Sequence, residues 1–493
     1  MIAVKLTTAQ VLASASTVIL LHSPAAIAQL ISNQQPEYYK PPAPFALTIT
    51  DVKGHPIVGA QVLIGEAEGL PFEENVLISD YDGRVPLPQN WLSEQPVTID
   101  APGFVRATYL DLAPQVRTLK VRRRTGSKAS AKRFELKGTA TGFGKLKNDG
   151  IFDVSLVIQA VPRSELANIS LQTMISPETD HISVMGQGTD IPSNVTIPDQ
   201  TESYIIPLRF NKPSYRLYLP VGGSWNVATM HAQVPFKATA DALRSGKQFI
   251  DIINTFNFVE GSINTVTLNQ PSTQLDLPVN QTKYTKSVKF TAPVYAADLD
   301  LIALAMSPKN GAYYPTDVKS VRPSSSVKLW APASALADGM VLAAFRKAGA
   351  DTVGPESDQY SAIALPNNES RPVDAIRIVN PPQANQNQLV LDTPTPSATL
   401  NPVMTYGRLS IVTSISQGTM KMEAKESVWD VWAPNWVNKM DLPAQPLPKI
   451  DPSKQKLRWE VSFDGQATAQ KSLPPGPGEL EKVTHVSRSA VDL

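Results

Sequence analysis

The chain has 493 residues, of which 42% are hydrophobic and 18% charged, with 43 prolines, no cysteine, and 45 basic residues against 44 acidic ones. It is too long for one hydrophobic core and too apolar for a disordered chain. The absence of cysteine excludes disulfides, thiolate metal sites, a cysteine nucleophile and a lipid-modified cysteine at a cleavage site.

The first 28 residues read as a signal peptide. Lys5 is the only charge, Val11 to Leu21 is apolar, and Ala26-Ile27-Ala28 is a small-residue cleavage site. The apolar stretch is about half the roughly 20 residues that a spanning helix needs. Export is therefore expected, to the periplasm, the cell surface or the medium. Without Lys5 the charges balance at 44 and 44, so no global field steers the protein to nucleic acid. No other run suggests a transmembrane segment. Residues 29–44, rich in Pro and Gln, read as a linker.

Residues 45–122 alternate short apolar runs with turns. Phe45–Thr50, Ile57–Ile64, Val76–Ile78, Arg84–Leu87, Val97–Asp100, Phe104–Tyr109 and Val116–Val121 read as strands, which suits a small β-sandwich. Pro56, Gly59, Ala60 and Val62, then Ser79, Asp80 and Gly83, then Ala101, Pro102, Gly103 and Phe104 follow one another in a recognisable order. In this order the segment resembles the carboxypeptidase regulatory-like family, a transthyretin-like sandwich. Ser79 stands where that family has Thr, and Phe104 where it has Tyr. The resemblance covers about a sixth of the chain and implies a sandwich with no catalytic residues of its own.

Nine of the 21 residues from Arg117 to Lys137 are Lys or Arg. Residues 123–133 form the small, polar, basic centre of this run and read as a linker. Arg122, Arg123 and Arg124 are candidate contacts for an anionic ligand, weighed against a solvated hinge.

Beyond Phe134 the chain stays strand-rich: Ile151–Ala160, Ile169–Met174, Tyr204–Phe210, Tyr215–Leu219, Asn226–Val234, Phe249–Val259 and Ile263–Leu268. Three landmarks then recur in order. The first is Ile169–Met174, Leu299–Leu304 and Leu409–Ser414. The second is Val195–Pro198, Val327–Pro332 and Trp429–Pro434. The third is Tyr204–Phe210, Met340–Lys347 and Leu457–Phe463. They suggest immunoglobulin-like sandwiches over 134–271, 283–380 and 388–471. Residues 472–493, which include Pro474-Pro475-Gly476-Pro477-Gly478, read as a disordered tail.

Catalytic patterns are sparse. Metallocarboxypeptidases pair His with Glu three residues on, and none of the five histidines does so, so no metal site and no cofactor are expected. Gly222-Gly223-Ser224-Trp225-Asn226 lacks the closing Gly of a nucleophile elbow. Ser453 and Lys456 match a Ser-x-x-Lys pattern, but in a Pro- and Lys-rich loop. Asp80-Tyr81-Asp82-Gly83 begins like a calcium loop, yet Trp91 stands where the closing Glu belongs. Sequons at Asn168, Asn194, Asn280 and Asn368 matter only if the host glycosylates exported proteins.

Trp429, Trp432 and Trp436 form the densest aromatic cluster. A strand puts Trp429 and Trp432 on opposite faces, so a sugar-stacking platform competes with core packing. The sequence thus points to an exported, non-enzymatic protein that binds glycan or an envelope protein, or serves as a scaffold. The alternatives are a polysaccharide-active enzyme with paired carboxylates, or a structural subunit of a surface or secretion assembly.

Overall fold

The computed structural model describes residues 46–493 apart from 66–75, 89–90, 125–133, 145–149, 165–173, 175, 177, 185–186, 199–210, 220–222, 236, 240, 242–244, 246–252, 294–295, 324, 351–352, 368–373, 386, 418–419, 445–446 and 468–474. The expected signal peptide and linker, the basic stretch 125–133, and the expected strand at Tyr204–Phe210 lie outside the described residues, as does nearly all of Ile169–Met174. The protein is all-β, as expected.

The N-terminal module contains β1 (Ala46–Asp51), β2 (Gln61–Ile64), β3 (Leu77–Ile78), β4 (Arg84–Pro86), β5 (Gln95–Asp100), β6 (Arg106–Leu112) and β7 (Thr118–Val121). One sheet runs β4-β1-β7, and β6-β5-β2-β3 pair in the other. The period-2 pattern of each strand sends Leu47, Ile49, Leu119 and Val121 from the first sheet to meet Val62, Val97, Ile99 and Tyr109 from the second in one core. Gly83 is required for this closure. Its φ is 71°, and a Cβ there would lie 2.5 Å from the Ile49 carbonyl oxygen.

The second segment supplies β8 (Phe134–Thr141), β9 (Ile151–Gln159), β10 (Val161–Pro162), β11 (Thr179–Val184), β12 (Gln187–Pro192), β13 (Val195–Thr196), β14 (Ser214–Leu219), β15 (Gly223–Pro235), β16 (Asn257–Leu268), β17 (Ser272–Gln274), β18 (Leu277–Pro278) and β19 (Thr282–Lys283). The sheet β13-β9-β15-β16-β19 faces β14-β8-β17 across Leu136, Val157, Tyr215, Leu219, Val227 and Val266. The strand expected from Phe249 to Val259 is shorter than its apolar run. Ile253–Thr255 is a 3-10 turn, and β16 opens at Asn257.

The third segment contains β20 (Lys286–Thr291), β21 (Leu299–Lys309), β22 (Ala312–Val321), β23 (Ser326–Ala331), β24 (Met340–Lys347) and β25 (Tyr360–Pro366). The fourth contains β26 (Gln383–Ala384), β27 (Gln388–Val390), β28 (Asn401–Gln417), β29 (Met420–Pro434), β30 (Lys439–Asp441), β31 (Gln455–Gln466) and β32 (His485–Asp492). The second landmark of the repeat takes two different roles. β23 pairs with β20 in a separate two-stranded sheet, whereas β29 pairs with β28.

These segments are not beads on a string. One sheet of thirteen strands runs β10-β22-β21-β24-β25-β32-β31-β28-β29-β6-β5-β2-β3. Two joints make it continuous. β6 lies parallel to β29, with Arg106 opposite Trp429 and Tyr109 opposite Trp432. β32 lies antiparallel to both β25 and β31. The core of the N-terminal module therefore also takes in Met404, Tyr406, Trp432, Leu480, Val483 and Val486.

The expected disordered tail needs correction. Its residues 485–492 are strand β32, buried from His485 to Ala490 in the middle of the large sheet. Pro475 to Thr484 lies against the N-terminal module, and a Cβ on Gly476 would sit 3.1 Å from the Tyr109 ring. The Pro and Gly content marks a connection between two strands, not the end of order.

Candidate functional site

β31 alternates strictly. Leu457, Trp459, Val461 and Phe463 enter an apolar core, which puts Arg458, Glu460, Ser462 and Asp464 on the opposite face. That second face gathers a large group of ionisable side chains. Its neighbours in register are Tyr406 and Arg408 on β28, Asp430 on β29, and Arg488 and Asp492 on β32.

The charges form a chain of contacts. Arg122, just after β7, grips Asp430 with Nε to Oδ2 at 2.7 Å and Nη2 to Oδ1 at 2.8 Å. Tyr406 donates its hydroxyl to Asp430 at 2.7 Å and accepts from Arg408 Nε at 2.7 Å. Arg408 reaches Glu460 at 4.0 Å. Lys425 donates to Glu460 at 2.5 Å and also to Asp358. Arg458, fully buried, donates to Asp358 at 3.0 Å, to Glu423 at 2.6 Å and to Asp492 at 2.6 Å.

Electrostatics follow from this packing. Burial raises the pKa of Glu460, but Lys425, Arg488 and Arg408 outweigh it and hold the carboxyl down to about 2. Burial also lowers Arg458, yet its bonds to Asp492 and Glu423 leave it raised. Asp358 is pushed up by burial and by Glu460 beside it. Arg122, Arg408, Lys425, Arg458 and Arg488 are five cations facing five carboxylates, Asp358, Glu423, Asp430, Glu460 and Asp492. Asp464 is a sixth acid, pushed up by burial to about 7 against Arg488, Ser462 and Arg408. In its protonated form it leaves five cations facing five carboxylates.

This arrangement fastens chain segments to one another. Arg122 comes from the N-terminal module, Asp358 from the third segment, and the rest from the fourth. Of the basic candidates, Arg122 is thus half-buried in a structural clamp and is not a landing site for an external anion. Arg123 is 67% exposed, lies over the Phe104 ring at 5.3 Å and reaches Asp51 at 3.5 Å. Arg124 is exposed, with its backbone N–H bonded to the Gly103 carbonyl at 2.9 Å.

Trp429 and Trp432 are core residues and Trp436 is half-buried, so the three do not form an exposed stacking row. Trp429 and Trp432 do face opposite sides, but each side is covered. Trp432 stacks on Tyr406 with ring centres 4.0 Å apart, in the core of the N-terminal module. Trp429 packs on Trp459 in the other core and donates Nε1 to the Thr108 hydroxyl at 2.9 Å. Trp436 is half-buried, edge-on to Phe463, with Nε1 bonded to the Asp464 carbonyl at 2.9 Å. A strand that is central in a sheet has no free face unless one side of the sheet is open.

The remaining motifs are turns or packing. Asp80 Oδ1 accepts from the backbone of Asp82 at 2.9 Å and of Arg84 at 2.8 Å, as a turn aspartate does. The Ser453 hydroxyl bonds Asp451 at 2.6 Å, and Lys456 turns to Asp492 at 3.5 Å. The Asn194 sequon is buried, its amide bonded to the Val157 and Met174 carbonyls at 2.9 Å each.

A second polar cluster, which the sequence does not reveal, centres on His231. Its Nε2 is 2.8 Å from Asp153 and its Nδ1 is 2.9 Å from Glu260, with Phe143 edge-on at 5.1 Å. These partners come from the adjacent strands β9 and β16. Each ring nitrogen thus faces a carboxylate, and the ring bridges β9 and β16 through side chains. Among the described residues, no group of three or more His, Cys, Asp or Glu is placed to hold a metal ion. Among the same residues, no helix is long and apolar enough to cross a membrane.

No family model and no curated protein matches the chain. Among solved structures it is similar to the Bacillus anthracis TIE protein, at 12% identity over 66% of this chain and 48% of that one, with a TM-score of 0.15. It is also similar to a streptococcal ancillary pilin, at 6% identity over 68% of this chain and 98% of that one, with a TM-score of 0.14. The chain spans about half the length of the first. At such TM-scores the likenesses carry no weight for function.

Proposed function

We propose that this is an exported, non-enzymatic binding or scaffolding protein of the bacterial envelope or surface, which contacts a glycan or another envelope protein. The continuous thirteen-stranded sheet carries this reading. A sheet joined across segments and clamped by buried ion pairs is a stiff frame, suited to hold binding surfaces at fixed spacing.

The N-terminal module is the proposed docking surface and the proposed carboxypeptidase regulatory-like domain. Its seven strands in two facing sheets support the second assignment. Five of the ten exposed large hydrophobic residues among those described lie in it: Val52, Val58, Ile78, Tyr81 and Leu92. Val58 and Tyr81 flank the pairing of Gly59 with Ser79, so they share one end of the sandwich.

The test is a glycan array together with an envelope pull-down, using the purified protein and a Val58→Ser, Tyr81→Ser variant. The expected result is a specific partner whose retention drops at least tenfold in the variant. Two empty screens, or equal retention by the variant, would overturn the reading.

A further inference from the structure

We infer that Pro475–Thr484 and strand β32 form a pH-sensitive latch, closed while Asp464 is neutral and loosened when it becomes charged. Asp464 sits on β31 between Met404 of β28 and Val486 of β32, both members of the core that Leu480 and Val483 of the strap complete. Its residue is 1% exposed, and its Oδ2 has no hydrogen-bond partner. A buried carboxyl group with a bare oxygen tolerates a proton far better than a charge.

The neighbours compensate only in part. Arg488 on β32, Ser462 on its own strand and Arg408 on β28 all favour the charged form, but burial outweighs them, and both arginines also act on the Glu460 charge. On β28, Tyr406 is taken by Asp430. From the strap, Lys482 pairs with Glu479 at 3.2 Å. His485, opposite Gly465 on the next strand, is pushed by burial down to about 4 and stays neutral at higher pH.

The sign follows from linkage. The Asp464 carboxyl is raised to about 7 in the fold, from 3.8 when free. Its contribution to stability is complete below the free value, is lost as pH rises towards 7, and is absent above it. If only the strap and β32 move, the opening constant rises roughly thirty-fold between about pH 5.5 and 8.5. Ionising Asp464 therefore loosens the element that joins the third and fourth segments, and with it the edges of β25 and β31 that β32 covers.

Hydrogen exchange of the whole protein, followed by mass spectrometry and corrected for the intrinsic effect of pH, tests this. Peptides covering residues 475–492 should exchange roughly thirty times faster at about pH 8.5 than at about 5.5, while peptides from β9 and β15 stay unchanged. Asp464→Asn, a neutral match in shape, should hold these peptides at their low-pH rate throughout. Asp317→Asn removes another buried carboxyl, pushed up to about 6, and should leave the response of 475–492 intact. A flat response in the natural protein would overturn the latch. So would a response that survives Asp464→Asn or vanishes with Asp317→Asn.

Discussion

Arg122 and Asp430, 308 residues apart, meet in a two-point ion pair that ties the N-terminal module to the fourth segment. The Asp430 side chain is 2% exposed and that of Arg122 14%. Removing one partner leaves the other charged and buried, which costs about 3 to 5 kcal/mol. Arg122→Ala and Asp430→Asn should each lower stability to urea by about that amount, and the double variant should be less destabilised than the sum. Arg122→Lys should fall between, because an ammonium cannot make the two-point contact. Additive losses would show that the pair is not coupled.

Trp432 is fully buried at the same joint, so Trp432→Ala should cost about 3 to 5 kcal/mol through the cavity it leaves. Trp436→Ala, at a half-buried site, should cost less. Trp429→Phe should leave any glycan binding unchanged, since the indole faces a core. A selective loss of glycan binding on that change would restore the stacking platform.

Ending the chain after Thr484 removes β32. Trimming a disordered tail would be harmless. Here the change exposes the edges of β25 and β31 and strips Asp492 from the buried Arg458. The shortened protein should fail to accumulate in soluble form, or should lose exchange protection across β25 and β31. A truncated protein with the thermal midpoint of the full chain would contradict this.

His231→Gln removes the ring that bridges Asp153 and Glu260. The expected loss is about 1 to 3 kcal/mol, seen as faster exchange in β9, β15 and β16 and not in β31 or β32. Equal acceleration in both regions would mean that the second segment does not hold its own core.

Much of the strand content was legible in the sequence, because period-2 alternation is local. Met340–Lys347 is a strand with the expected bounds, and Ile151–Ala160 is off by one residue. The opposite facing of Trp429 and Trp432 was legible for the same reason. Pairing was not, since nothing local in Arg106–Leu112 says that its neighbour is Trp429–Trp432. β32 was missed because His-Val-Ser-Arg-Ser-Ala-Val-Asp carries little apolar surface and is buried by the strands on either side. The charge clamp had one signal: Arg458, Glu460 and Asp464 alternate with large apolar residues, a pattern that buries charge once both faces are covered.

Because the chain has no cysteine, the β6–β29 joint can be tested cleanly. Thr108 and Val431 are partners across that parallel pair. With Thr108→Cys and Val431→Cys, the folded monomer should form a disulfide under mild oxidation, leaving no free thiol and migrating faster on a non-reducing gel. Two free thiols in a folded monomer would contradict a sheet that runs unbroken from the N-terminal module into the fourth segment.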